Sequence, residues 1–325
     1  MSMFRKPSAK KIGLKVLILG ETGVGKSVFS LSFPKIMALD SETGIALYEG
    51  GMYGANLMGV ANTQDFNELQ DAMDEIEDLV ESDPDAVQTL VIDSETKFFQ
   101  NLTDASLQVE EKKARKKGAD VNDANVSIRG YGRIKAIAQR LQNLKIDLSA
   151  KGVNVVSVSQ IEDVKQKQGD QFVVTGYKPV MAKNSNYDYD LIIKLFTEKN
   201  PKNGEMTYKG LIEKDRTSVT KVGQVVENPS YNVWKEYFEG RKTDGNLNTS
   251  MSKDGAKAQK ALEEEDFKAE QTVVDKFKDV VAMSEEHKVK AIEMVKEAKI
   301  KNPLEPKDAK ELKKLEEIVE TVTAM

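Results

Sequence analysis

The chain has 325 residues, 31% charged and 39% hydrophobic, with a formal net charge of −5. That length suits one substantial domain plus a smaller one, and that charge argues against a surface attracting nucleic acid everywhere. Cysteine is absent, which excludes disulfides and thiolate metal sites, and no apolar run approaches the ~20 residues of a membrane span.

The first element is a basic arm, residues 1–11, with Arg5, Lys6, Lys10 and Lys11. It lacks the apolar segment of a signal peptide, so a cytoplasmic location without a membrane partner is expected. An apolar strand, Lys15 to Leu19, then runs into Gly20-Glu21-Thr22-Gly23-Val24-Gly25-Lys26-Ser27, and a helix is expected from Ser27 to about Phe33. The eight residues fit G-x-x-x-x-G-K-[ST]. In this pattern glycines turn backbone N–H groups inward around a phosphate, Lys26 reaches the β- and γ-phosphates, and the Ser27 hydroxyl ligates Mg²⁺.

Lys35 to Leu39 reads as a second strand, ending in Asp40-Ser41-Glu42. A carboxylate at such a strand end can orient a water toward the γ-phosphate, and Glu42 and Asp40 are rivals for that role. Phe66, Leu69, Met73, Ile76 and Val80 share one helical face within Thr63 to Val80. Thr89 to Asp93 reads as a buried strand whose terminal Asp93 lies where P-loop enzymes place a carboxylate near Mg²⁺. Ile134 to Leu148 is a second amphipathic helix, and Val153 to Val158 a fourth buried strand ending in Ser159-Gln160. The Gln160 amide can hydrogen-bond a γ-phosphate or its attacking water. This alternation predicts an α/β core with a mostly parallel sheet flanked by helices.

Beyond Gln160, residues 163–187 are polar and aperiodic, which suggests a mobile loop. The runs Leu191–Phe196 and Met206–Glu213 flank Asn200-Pro201-Lys202-Asn203-Gly204, a β-hairpin signal. Lys214-Asp215-Arg216 follows. Two cations at i and i+2 on an extended chain point to one side and can act across a subunit interface as a basic finger, or can serve as a solvated edge. The core is expected to close near residue 238. Residues 239–260 read as a linker, and 261–325 as a helical extension of three charged helices, with Ser284 capping the second.

Taken in order, Gly20–Ser27, Asp40–Glu42, Val91–Ser94, Val155–Gln160, the polar loop, Tyr189–Leu195 and Lys214–Arg216 resemble the ATPase core of the RecA/RadA-like P-loop superfamily. The nearest resemblance is to phage-encoded RecA-core single-strand annealing and recombination proteins. It covers about residues 11–238. It implies ATP and Mg²⁺ as cofactors, with Glu42 as catalytic base, Asp93 as a ligand through the Mg²⁺ shell, and Gln160 as nucleotide sensor. Lys214 and Arg216 would then act on a neighbouring subunit's ATP in a ring or filament of identical chains. The resemblance also implies two loops that grip single-stranded DNA. One spans about residues 112–133 and carries Lys112, Lys113, Arg115, Lys116, Lys117, Arg129, Tyr131 and Arg133. The other spans about residues 162–187 and carries Lys165, Lys167, Phe172, Lys178 and Lys183. The implied function is ATP-dependent annealing or recombination, with DNA-stimulated hydrolysis and a single-stranded-DNA-binding protein as a further partner. A RecA-like helicase or helicase loader, and a nucleotide-switched interaction module, are the alternatives.

Overall fold

The computed structural model describes residues 11–116, 118, 120–169, 171–201, 204–240 and 251–325. Most of the basic arm, Lys117 and the 241–250 part of the linker lie outside the described residues. The chain divides into two compact units, Met1–Ser252 and Lys253–Met325.

The first unit opens with β1 (Lys15–Leu19), α1 (Lys26–Ser30), β2 (Ile36–Asp40), β3 (Leu57–Asn62) and α2 (Phe66–Ser82). β4 (Thr89–Asp93), α3 (Glu95–Lys116), α4 (Ile128–Ala150) and β5 (Asn154–Ser159) follow. A two-stranded sheet of β6 (Ile161–Gln168) and β7 (Gln171–Pro179) comes next, then β8 (Leu191–Lys199), β9 (Met206–Asp215), β10 (Val225–Glu227) and α5 (Lys235–Glu239). The main sheet has the order β10-β9-β8-β1-β5-β4-β2-β3. β8, β1, β5, β4, β2 and β3 are parallel, while β9 and β10 join as antiparallel strands.

β1, β4 and β5 are apolar nearly throughout because both faces of the parallel sheet are covered. On one face Val16, Ile18, Val91 and Val156 pack with Phe29, Phe33 and Trp234. On the other, Leu90, Ile92 and Val155 meet Leu69, Met73, Ile76 and Val80 of α2 and Leu141, Leu144 and Leu148 of α4. The apolar spacing of α2 is therefore its buried stripe, and Asp65 starts the helix by accepting from the N–H groups of Asn67 and Glu68.

Two expectations change, and two elements appear that the sequence did not signal. Residues 163–179 form most of an antiparallel hairpin rather than a mobile loop. Its charged and amide side chains hide any alternation, so the backbone ladder carries the pairing. α3 occupies residues that gave no helical signal, since few of its side chains are buried beyond Glu95, Thr96 and Phe98. β3, an edge strand with no fully buried residue, was equally silent. Finally, residues 251–260, read as linker, belong to α6 (Met251–Met283).

The second unit packs the later part of α6 with α7 (Glu285–Glu297) and α8 (Ala309–Thr323). Phe277, Val280, Ala291, Leu315, Ile318 and Val322 form its core. Ser284 caps α7 by accepting from the His287 N–H, and Asp308 caps α8. No helix among the described residues is long and apolar enough to cross a membrane.

Candidate nucleotide site

In a parallel sheet every strand delivers its last residue to the same end. Register aligns Asp40 with Asp93, Asp93 with Val158, and Leu19 with Ser159. The phosphate-type loop, the Asp40–Glu42 turn, Asp93-Ser94 and Gln160 therefore meet along one rim. Between them opens a cleft of about 1020 Å³, at the upper end of the usual range for ligand sites.

The loop is built by close approach and by left-handed backbone. A Cβ on Gly20 would sit 2.7 Å from the Leu195 carbonyl oxygen of β8. Gly25 has φ +88°, which a side chain would strain, and it lets the chain turn into α1. Lys26 folds back over the loop, its Nζ donating to the carbonyls of Gly20 at 3.0 Å and Glu21 at 2.5 Å. Burial pushes its ammonium below the ordinary lysine value, against the pull of Asp93, Glu42 and Glu21. An anion in the loop would oppose that shift.

The Ser27 hydroxyl donates to Asp93 Oδ2 at 2.6 Å. Burial raises the Asp93 carboxyl above its usual range, opposed by this hydrogen bond and reinforced by Glu42 and Asp40. Among the described residues no group of three or more His, Cys, Asp or Glu side chains is set to hold a metal. One hydroxyl beside one carboxylate is the sparse oxygen set that suits Mg²⁺, which fills its octahedron with waters and phosphate oxygens.

The rival carboxylates separate by geometry. Asp40 is 1% exposed and accepts from the N–H groups of Glu42 at 3.1 Å, Gly44 at 3.2 Å and Ile45 at 2.8 Å. It shapes the turn and does not face the cleft. Glu42 does line the cleft. Its Oε1 accepts from Ser94 Oγ at 2.9 Å and from Gln160 Nε2 at 3.4 Å. The β4 tip is tied to the turn as well, with the Ser94 N–H donating to Ser41 Oγ at 2.8 Å. The sequence assigned no role to Ser94 or Ser41, although Ser94 closes the Val91–Ser94 motif and Ser41 stands between Asp40 and Glu42.

The outer wall of the cleft is aromatic. Tyr48 and Tyr53 meet edge to face with centroids 5.9 Å apart, and Tyr208 of β9 lines the same space. Nothing in the local sequence marks these tyrosines, because they arrive from β9 and from the link between β2 and β3.

The other candidates lie elsewhere. Lys214 donates to the Tyr187 carbonyl at 2.8 Å, and Arg216 Nη1 to Asp190 Oδ1 at 3.0 Å. Lys214 pairs with Ile192, level with Leu17, so it lies about 10 Å back along the strands from the level of Gly20. Neither cation is brought to this chain's own loop. Asp215 between them is the structural residue, accepting from Thr217, Thr220 and the Trp234 indole.

The segment taken as a first loop is mainly helix. Lys112, Lys113, Arg115 and Lys116 end α3, while Arg129, Tyr131 and Arg133 begin α4. Ser127 Oγ donates to Glu110 Oε1 at 2.9 Å and joins the two helices near these ends. Lys165 and Lys167 stand on β6, Phe172 and Lys178 on β7, and Lys183 in the turn after β7. Phe172 is 71% exposed, and Lys178 pairs with Glu162 at 3.0 Å.

A family model described as an AAA domain, AAA_24, matches residues 12–231. A search of curated proteins gave no match. The family match spans more than half of the chain and includes every residue of the cleft named above. The phosphate loop, the paired Ser27 and Asp93, and the strand-tip Glu42 all fall inside it, and the chain belongs to this AAA-domain family, with a P-loop ATPase-type core.

Proposed function

We propose that this protein is an ATP-driven, oligomeric single-stranded-DNA-binding protein that promotes annealing or recombination. One observation carries the reading. Gln160 touches Glu42 in the cleft and is also the residue directly before β6, so the candidate nucleotide site and a hairpin carrying Lys165, Lys167 and the exposed Phe172 share one joint.

In this reading Lys26 neutralises the β- and γ-phosphates, and Ser27 and Asp93 hold Mg²⁺. When bound there, the metal would supply charge stabilisation for the departing diphosphate. Glu42 accepts a proton from a water that attacks the γ-phosphorus as the bond to the β–γ bridging oxygen breaks. Ser94 and Gln160 fix the Glu42 carboxylate. Tyr48, Tyr53 and Tyr208 offer ring faces and edges to the base. Lys165, Lys167 and Lys178 neutralise strand phosphates, with Phe172 as a stacking platform. The ends of α3 and α4 add a second basic surface. Lys214 and Arg216 reach the ATP of an adjoining copy.

The test is a titration of labelled single-stranded oligonucleotide at several salt concentrations, with and without a non-hydrolysable ATP analogue. Binding that strengthens with nucleotide and weakens with salt supports the proposal, and binding indifferent to both refutes it. A nucleotide-switched interaction module is favoured by one fact, that residues 253–325 carry an apolar core of their own. Removing them would then abolish partner capture and leave ATP turnover intact.

A further inference from the structure

Thr96 is completely buried, two residues beyond Ser94, in the first turn of α3. Its hydroxyl oxygen accepts from the Gln160 N–H at 3.0 Å and donates to the Val180 carbonyl at 2.9 Å. Gln160 and Val180 are the residues just before and just after the β6–β7 hairpin. They also bond to each other, with the Val180 N–H donating to the Gln160 carbonyl at 2.9 Å. Ser159 Oγ donates to the same carbonyl at 2.9 Å.

One oxygen on the β4–α3 junction therefore holds both legs of the hairpin at their root. The backbone of Gln160 is fixed at its N–H and at its C=O, and its side-chain amide remains turned toward Glu42. Through Thr96, a shift of the β4 tip, such as the exchange of Ser27 for a cation at Asp93, would reach both legs together.

We propose that Thr96 is a positioning residue that couples occupancy of the nucleotide cleft to the orientation of the β6–β7 hairpin and holds the Gln160 amide on Glu42. The proposal rests on the reading of the cleft and hairpin given above. It does not depend on which nucleic acid the hairpin meets.

The chain contains no cysteine, so Gln171→Cys at the hairpin tip gives a single site for an environment-sensitive thiol dye. The labelled full chain is titrated with a non-hydrolysable ATP analogue and Mg²⁺, without DNA. In the Thr96 parent the dye emission changes on nucleotide binding. Thr96→Val keeps the shape of the side chain but removes its hydrogen bonds to Gln160, Val180 and Ser159. It is expected to bind nucleotide within about threefold of the parent, to lose most of the dye response, and to turn over ATP about tenfold more slowly. Thr96→Ser retains the hydroxyl and restores both response and turnover. If the valine variant fails to melt cooperatively, Thr96→Ala replaces it under the same criteria.

The proposal is overturned if the parent shows no dye response, if the valine variant responds like the parent, or if serine fails as badly as valine. Because no DNA is present, a failure to bind oligonucleotide would sink the functional reading and leave this result standing.

Discussion

The C-terminal unit and the strand-tip rim are both rich in charge, and they use it differently. On α6 and α7 the ion pairs are local and exposed: Lys278 with Asp275, Lys288 with Glu285 and Lys290 with Glu293, each three residues apart on one helix. On the rim, polar bonds join residues far apart in the chain: Ser27 with Asp93, Ser94 with Glu42, and Gln160 with Glu42. Exposed local pairs contribute a few tenths of a kcal/mol and leave side chains free to rotate. Long-range bonds hold a side chain in one place, which is what chemistry on a bound phosphate requires.

The largest break in this comparison is expected at Lys26. Lys26→Ala should lower nucleotide binding or turnover by at least about 100-fold, as loss of a preorganised charge in a site does. Lys290→Ala on α7 should leave both within about twofold. Isothermal titration and phosphate release measure the two.

Glu42 and Asp40 sharpen the comparison inside the rim itself. Glu42→Gln should keep nucleotide affinity and slow turnover by about 10²-fold. Asp40→Asn should mainly lower the melting temperature, because its carboxylate holds three backbone N–H groups. If Glu42→Gln turns over normally, the assignment of the base is wrong.

Asp215 extends the test to pH. Burial alone would raise its carboxyl, but donors from Thr217, Thr220 and Trp234 hold it below the ordinary value of 3.8. A carboxylate depressed in the folded state stabilises above its unfolded value, and that contribution disappears as pH falls through the folded one. Asp215→Asn should therefore cost about 1–3 kcal/mol near neutral pH. The gap in melting temperature from the parent should close below the ordinary carboxylate range, and a gap that persists there would refute the assignment.

The smallest effect is expected on the hairpin. Lys167→Ala should weaken oligonucleotide binding modestly and reduce the slope of log K against log salt by about 0.7, one phosphate contact on a single strand.

Much of the rim was legible because its signals are strong locally. A glycine-rich loop between strand and helix, an apolar strand ending in Asp93, and another ending in Gln160 each place a residue without knowledge of the rest. Residue pattern alone did not separate Asp40 from Glu42, though the family resemblance favoured Glu42, because the choice depends on which carboxylate the following turn folds around. Thr96 and Ser94 act through partners more than 50 residues away, so no window of sequence contains their role. The hairpin was hidden because its strands carry lysine and glutamine on both faces and bury almost nothing. The tail showed the reverse: Ser284 and its neighbouring apolar stripes announced the helices, but the start of α6 at Met251 lies in a stretch whose Ser, Lys, Asp and Gly read as linker.

The most direct test of the account is ATP turnover by the full chain, with and without a single-stranded oligonucleotide, at low and at high salt. Turnover that rises with the oligonucleotide, loses that rise as salt increases, and vanishes in Lys26→Ala is the predicted result. Turnover unchanged by the oligonucleotide at every salt concentration, or undiminished in Lys26→Ala, would contradict it.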